Sequence, residues 1–260
     1  MRFVSLAVLG AALILGTASQ SSAADMSAPV YKAAPGLIAY NWTGFYAGGH
    51  IGGGWAQDDV TLAGFTPPPS DLPLGSVFNG NRDGFLGGAQ IGFNWQAPAS
   101  PWLWGVEAQW SWTNARAAST LAGGVSTTTG YASTDWYANV AARVGYTWDR
   151  SALYLKGGAA FMGAKYSATT NFGGGTFPSD TFSDTRTGWM VGAGFEQAFA
   201  GNWSWNVEYN YMDFGSKNFN LTTAGLGSIT TIEADTNIHV VKLGLNYRFG
   251  YGAMPVVAKY

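Results

Sequence analysis

Cysteine is absent from this 260-residue chain, and charged residues make up only 11% of it. The absence of cysteine excludes disulfides, thiolate metal sites and a cysteine nucleophile. Soluble domains typically carry roughly 25% charged residues, so this chain is short of the surface charge that keeps a protein soluble. Its net charge of −2 provides no basic surface, and we therefore expect no nucleic-acid partner.

Long apolar runs are also missing, except at the N-terminus. There, Arg2 precedes an apolar stretch from Phe3 to Thr17, and residues 22–24 are small, an order typical of a cleaved secretory signal. No later stretch approaches the ~18 consecutive apolar residues that a membrane-spanning helix needs. We predict that residues 1–24 are a signal peptide. The exported chain is then either an unusual soluble protein or an outer-membrane β-barrel.

Glycine and aromatic residues are abundant, with 37 glycines and 15% aromatics. Apolar and polar residues alternate with period two, which is typical of β-strands whose two faces differ. The alternation occurs in eight segments: 42–57, 83–97, 102–115, 135–148, 152–166, 187–199, 203–214 and 236–249. Long connections rich in Thr, Ser, Gly and Asn alternate with short turns; the long ones are 58–82, 116–134, 167–186 and 215–235.

Alternating long and short connections are typical of outer-membrane barrels, which have long loops outside the cell and short turns in the periplasm. The predicted fold is all-β: an eight-stranded antiparallel up-and-down transmembrane β-barrel over residues 42–249. Residues 25–41 are predicted to form a flexible periplasmic lead-in, and residues 250–260 a C-terminal extension.

One face of each segment carries aromatic residues near both ends and small or aliphatic residues between them. Phe45 and Trp55 are ten residues apart, which corresponds to roughly 25 Å along the membrane normal for a strand tilted by about 40°. We therefore predict two membrane-interface girdles, made of Phe45, Trp55, Phe85, Trp95, Trp102, Trp104, Trp110, Trp112, Trp136, Trp148, Trp189, Trp203 and Trp205. A soluble lipocalin-like barrel would need the opposite arrangement, with an apolar lumen, and would here expose aromatic stripes to water.

Six charged residues lie on the opposite, inward face, three acids and three bases from strands three to eight. These are Glu107, Arg143, Lys156, Glu196, Glu208 and Lys242. Because an isolated charge is costly in an interior of low dielectric constant, we expect them to pair, with Glu107 facing Arg143. The interior of eight strands is just wide enough for side chains to fill it. Two interpretations remain open: a polar plug that holds the barrel together, or a selectivity filter.

The sequence does not favour catalysis. In the period-two alternation, His50 lies at an inward-facing position and His239 at an outward-facing one. The two side chains are therefore not expected to converge. The segment 48–55, GGHIGGGW, is glycine-rich but lacks the Lys-Ser/Thr of a phosphate loop. Asp58 and Asp59 are interpreted as solvated acids of a loop, with contact to a cation bridging lipid phosphates as the alternative. We predict no enzymatic activity, no metal and no cofactor.

Four stretches, WTGFYAGGHIGGGW (42–55), GWMVGAGFEQAF (188–199), NWSWNVEYNYMDFG (202–215) and VVKLGLNYRF (240–249), resemble the alphaproteobacterial porin-family outer-membrane proteins. That resemblance implies an OmpA-like eight-stranded barrel in the bacterial outer membrane that contributes to envelope integrity. It also implies a terminal aromatic signal for the barrel-assembly machinery, to which Tyr247 and Phe249, or the terminal Tyr260, would correspond. The other expected partners are outer-membrane lipids and lipopolysaccharide, and the expected state is a monomer.

Three functions remain in competition at this stage. The first is a structural surface protein, the second a narrow porin for ions or small solutes, and the third an adhesion or host-interaction protein that uses the connections outside the cell.

Overall fold

The structure, a computed structural model, describes residues 40–66, 74–223 and 228–249. Strands account for nearly all of these residues, in line with the alternating pattern. The strands are β1 (Gly44–Thr66), β2 (Val77–Gln96), β3 (Trp102–Thr113), β4 (Arg116–Ala122), β5 (Ser126–Trp148), β6 (Ser151–Phe172), β7 (Gly175–Pro178), β8 (Phe182–Ala200), β9 (Trp203–Thr223) and β10 (Ser228–Phe249). Among the described residues, no helix is long and apolar enough to cross a membrane.

Eight of these strands close into a ring. The antiparallel order is β5-β3-β2-β1-β10-β9-β8-β6, and β6 pairs with β5 to complete the circle. The first and last ring strands, β1 and β10, are paired antiparallel from the Phe45–Phe249 pair to the Thr66–Ile229 pair. The prediction of an eight-stranded antiparallel barrel is therefore confirmed. The two remaining strands, β4 and β7, are short additions to the edges of β5 and β6.

The long outer loops of the sequence prediction are wrong in extent, because the strands continue into them. β1 runs eleven residues beyond Trp55, and β5 and β6 pair as far out as Ser126 and Phe172. Threonine hydroxyls pair on these extensions, as between Thr128 and Thr170 at 3.1 Å. Because the extensions lie beyond the aromatic girdle, their outward face is largely polar, and the inward face carries buried apolar residues. This order differs from the apolar-outside, polar-inside order of the membrane band, so the abundant Thr, Ser, Gly and Asn indicated loops instead.

Several predicted segments lie outside the described residues. These are the signal peptide at 1–24, most of the lead-in at 25–41, and the extension at 250–260 with Tyr260. Their assignments remain predictions.

Candidate functional site: the lumen and the outer face of the barrel

All six predicted charges lie inside the barrel, where each is between 1% and 4% exposed. These six residues form a charged layer, and two tyrosines, Tyr46 and Tyr154, reach the same height in the lumen. Each tyrosine ring lies over a glycine of the neighbouring strand. A Cβ on Gly92 would lie 2.4 Å from the Tyr46 ring, and one on Gly194 equally close to the Tyr154 ring. Glycine at these positions lets the rings lie flat against the wall and brings both hydroxyls to the acids of the layer.

Glu107 is held by residues from three other strands. Lys156 donates to its Oε1 at 2.9 Å, and the Tyr46 hydroxyl donates to its Oε2 at 2.7 Å. The expected contact with Arg143 is present at 3.5 Å between Nη1 and Oε2. The closer acid to Arg143, however, is Glu196 of β8, which is separated from β5 only by β6, with Nη2 and Oε2 3.0 Å apart.

Glu208, like Glu107, is an acid around which several donors of the charged layer gather. Its Oε2 lies 2.7 Å from Lys156 Nζ and 3.0 Å from Lys242 Nζ, while Tyr154 donates to its Oε1 at 2.6 Å. Lys242 also donates to Gln109. Lys156 bridges Glu107 and Glu208, so the two acids and their donors form one network. Each carboxylate has at least two donors, which is what makes buried charges tolerable.

Sequence reasoning missed Tyr154 as a member of this network. Tyr154 lies two residues before Lys156 on the same strand, so the period-two alternation already indicated that it faces inward. Its position opposite Gly194 comes from the register between β6 and β8, and the segments alone do not give that register.

A layer of apolar side chains lies just outside the charged layer. Along the inward face of β10, Lys242 is followed by the buried Val240 and Ile238. Three methionines, which are no more than 1% exposed, face the lumen in the same cluster: Met162, Met190 and Met212. Met190 and Met212 are ladder partners. Flexible thioether side chains fill irregular gaps well, and this layer closes the lumen without charge.

A second polar layer lies farther out and corrects the interpretation of Asp58. This residue is not a solvated loop acid, because it is 3% exposed and receives two hydrogen bonds from Arg82. Thr236 donates to Asp58 at 2.8 Å and accepts from Arg186 at 2.9 Å. Arg82 also donates to Thr134 at 2.8 Å. Arg82 and Arg186 were missed because both fell in predicted loops.

The mouth of the barrel on the side of the short turns is closed by an aromatic plug. Trp42 is fully buried against Leu103, Ala152 and Ala198, and the Arg248 guanidinium lies 4.4 Å from the centre of its ring. Tyr40 packs edge-on against Trp42. Burial raises the pKa of the Tyr40 hydroxyl, and the neighbouring Arg248 works in the opposite direction.

The two histidines lie on opposite faces of the wall, as the period-two alternation predicted. His50 is inside, with Gln90 at 3.0 Å and Ser111 at 2.8 Å from its ring nitrogens. His239 is outside, stacked on Trp55 at 5.4 Å. Within the described part of the chain, no three His, Cys, Asp or Glu side chains are grouped as a metal site would require.

The outer face carries all thirteen predicted girdle aromatics. Eleven are exposed, and Trp136 and Trp205 are partly exposed. They form two levels: Trp95 pairs with Trp104 at one, and Trp112 with Trp136 at the other. Aliphatic side chains such as Leu155, which is 62% exposed, cover the wall between the levels.

So large an apolar surface is incompatible with water, and closure leaves no strand edge unpaired in lipid. A closed barrel with an apolar band between aromatic girdles, and with its polar groups inside, is an integral membrane β-barrel.

Comparison with known proteins identifies the family. Residues 10–249 match the outer membrane protein beta-barrel domain, and the chain belongs to this family. It is 31% identical over 253 residues to the 31 kDa outer-membrane immunogenic protein of Brucella melitensis, which spans 96% of this chain and 100% of that protein. The 22 kDa outer membrane protein of Rhizobium leguminosarum is 30% identical over 218 residues, or 83% and 82% of the two chains. The resemblance to alphaproteobacterial outer-membrane proteins is confirmed, and the protein is located in the outer membrane.

Among solved structures, the outer membrane protein OprG from Pseudomonas aeruginosa aligns with a TM-score of 0.47 at 13% identity. The alignment covers 82% of this chain and 99% of OprG.

Proposed function

We propose that this protein is a structural component of the outer membrane, a closed barrel that contributes to envelope integrity and conducts no steady current. One observation carries the proposal: buried side chains occupy the lumen in successive layers between its two mouths. The Trp42 plug, the charged layer, the methionine layer and the Asp58–Arg82 layer follow one another along the axis.

The charged layer argues against a filter that passes ions. Lys156 contacts both Glu107 and Glu208, and Arg143 contacts Glu196, so the charges neutralise one another across the lumen. A path through the layer would require several buried ion pairs to separate together. Even then the methionine layer would remain, and it offers an ion no ligand to replace its water.

The test is conductance of the purified, refolded protein in planar bilayers. We expect no steady channel and at most small, rare openings. A double variant, Arg143→Ala with Glu196→Ala, removes two long side chains and keeps the layer neutral, so it should open more often. Leu155→Ala, on the lipid-facing side, should behave like the unmodified protein. Steady channels that admit sugar-sized solutes would overturn the proposal and favour the narrow porin.

A second candidate, surface recognition by the outer extensions, is favoured by their length. At ~3.3 Å per residue and a tilt of about 40°, the eleven residues of β1 beyond Trp55 reach roughly 25–30 Å from the girdle. The Brucella melitensis relative is named immunogenic, which is compatible with exposure to antibodies. Shortening the β9–β10 hairpin to end at Phe219 and Ile232 would test this role, with adhesion of expressing cells as the readout. Unchanged adhesion would contradict it.

The remaining partners are proposals of the same kind. Phe249 ends β10 with its ring 60% exposed and 5.1 Å from Tyr247, so these two residues are available as the terminal aromatic signal for the assembly machinery. A monomer is proposed because closure of the ring leaves no ring strand without two neighbours over the membrane band.

A further inference from the structure

A shallow groove of about 190 Å³ lies in the wall formed by β5, β6 and β8, near the outer girdle. Its lining includes Trp136 and Lys165 together with Ser183 and Thr185. In the ladders, Trp136 pairs with Trp112 of the girdle, and Lys165 lies two residues farther out than Gly163, the partner of Trp136. Two residues correspond to ~7 Å along a strand. The groove therefore lies where the apolar band ends and lipid head groups begin.

The floor of the groove is an indole ring laid flat against the wall. A Cβ on Gly163 would lie 2.4 Å from Trp136 Nε1, so only glycine leaves room for the ring at this position. Trp110 stacks on Trp136, with ring centres 4.5 Å apart and planes 12° from parallel. Because the wall and Trp110 cover the two faces of this ring, the part of the indole left to the groove is its edge, which carries one N–H group.

A β-bulge supplies the charged side of the groove. The register between β5 and β6 shifts between Thr134 and Trp136, so Asp135 is an extra residue outside the ladder. Such bulges re-aim side chains, and the Asp135 carboxylate lies 2.5 Å from Lys165 Nζ. The Lys165 side chain is 51% exposed. Its ammonium group is held over the groove and still has donors facing outward for a second anion.

The remaining wall at this height has the opposite charge. The outward-facing charged residues beyond the girdle on β1, β2, β9 and β10 are all acids among the described residues: Asp59, Asp83, Asp213, Glu233 and Asp235. Lys217 of β9 and Asp184 form an ion pair on the inward face, with Nζ and Oδ2 2.5 Å apart; the ladder partner of Lys217 is the buried Ala234. An anionic head group would be repelled by the acidic side of the outer wall and would meet a cation at Lys165.

We propose that this groove binds the phosphorylated sugar head group of one outer-leaflet glycolipid, with Lys165 Nζ on a phosphate and the edge of Trp136 beside the sugar. Ser183 and Thr185 offer hydroxyls to the remaining oxygens. The occupant is a lipid rather than a free sugar phosphate because the groove is continuous with the lipid-facing wall. The inference rests on the proposed structural role, since a bound lipid would fix the barrel in its leaflet.

The test is a titration of the refolded protein in detergent with diphosphorylated lipid A, counting bound lipids by native mass spectrometry. We expect one retained lipid per barrel. Because a hydrogen bond to a charged group contributes about 1.5–3 kcal/mol, K165Q should weaken binding about tenfold or more. W136L should weaken it by a smaller factor. Lipid A from which both phosphates have been removed should bind about as weakly to the unmodified protein as the phosphorylated form binds to K165Q.

The controls match each change. R150Q removes one exposed charge from the periplasmic turn, and W112L removes a girdle tryptophan outside the groove, so both should bind as the unmodified protein does. Equal affinity of K165Q, or equal affinity for the dephosphorylated lipid, would overturn the proposal. Displacement by free glucosamine phosphate at the same concentration as the lipid would overturn the choice of a lipid. Conductance in planar bilayers is a separate measurement, so a failure of the structural role would be distinguishable from a failure of the groove.

Discussion

The charged layer and the methionine layer are neighbours in one lumen, yet they close it by different physical means. In the charged layer, Glu208 has Lys156, Lys242 and Tyr154 as partners, and each partner depends on its position. In the methionine layer, Met190 and Met212 need only volume and apolar surroundings. The first layer should therefore tolerate loss of one member poorly and loss of a matched pair well. The second should respond in proportion to the space left empty.

The largest effect is expected for Arg143→Met in the charged layer. The change leaves Glu196 without its 3.0 Å partner, and breaking a buried pair typically costs about 3–5 kcal/mol. Adding Glu196→Gln should recover much of the loss, because Glu107 keeps Lys156 and Tyr46 as donors and no carboxylate is then left unpaired. The free energy of unfolding in urea, followed by tryptophan fluorescence in micelles, provides the measurement. Losses that simply add in the double variant would show that the two side chains do not depend on each other.

Met212→Ala tests the neighbouring layer. Truncation of a buried methionine creates a cavity and typically costs about 2–5 kcal/mol, whereas Met212→Leu keeps the volume and should cost less than about 1.5 kcal/mol. Leu155→Ala, on the exposed outer wall, is the control for loss of apolar surface without a cavity in the lumen. The same urea titration applies. A similar loss for the alanine and leucine variants would mean that the methionine layer acts through its chemistry rather than its volume.

An intermediate effect is expected in the outer polar layer. Thr236→Val keeps the shape of the side chain but removes the hydroxyl shared by Asp58 and Arg186. Each buried group loses one of its partners, so about 1–3 kcal/mol should be lost. Thr120→Val, on the exposed β4, is the matched substitution and should change the unfolding free energy little. Equal losses of unfolding free energy in the two variants would mean that Asp58 and Arg186 are more exposed to water than in the structure.

The smallest effect is expected outside the lumen. Lys165 and Asp135 form an ion pair in which both side chains are about half exposed, and such pairs typically contribute about 0–1 kcal/mol. K165Q should therefore leave the unfolding curve nearly unchanged while lowering lipid retention. A large loss of stability in K165Q would mean that the pair is structural, and its lipid binding would then need to be measured relative to D135N.

Much of the barrel could be predicted from the sequence because apolar and polar residues alternate with period two wherever the two faces of a strand meet different surroundings. Between the girdles one face meets lipid and the other the lumen, and there the strands, the girdles and the inward position of Glu107 were all predictable. Beyond the girdle the outward face meets water and is largely polar, and the inward face mixes apolar residues such as Phe219 with buried charges. This order no longer matches the apolar-outside alternation of the membrane band, so Asp58, Arg82 and Arg186 were assigned to loops.

The amino-acid sequence by itself determined the class of fold, the number of ring strands and the residues that face inward between the girdles, since these depend only on alternation and on the spacing of turns. The tertiary structure alone decided which of those residues meet. Glu196 became the closest acid to Arg143 because β5 and β8 are separated only by β6 in the ring, and the register of the three strands brings the two side chains together on the inward face. Asp135 was re-aimed toward Lys165 by a bulge. Register, shear and bulges are properties of strands paired with each other, and they set contacts that no single segment contains.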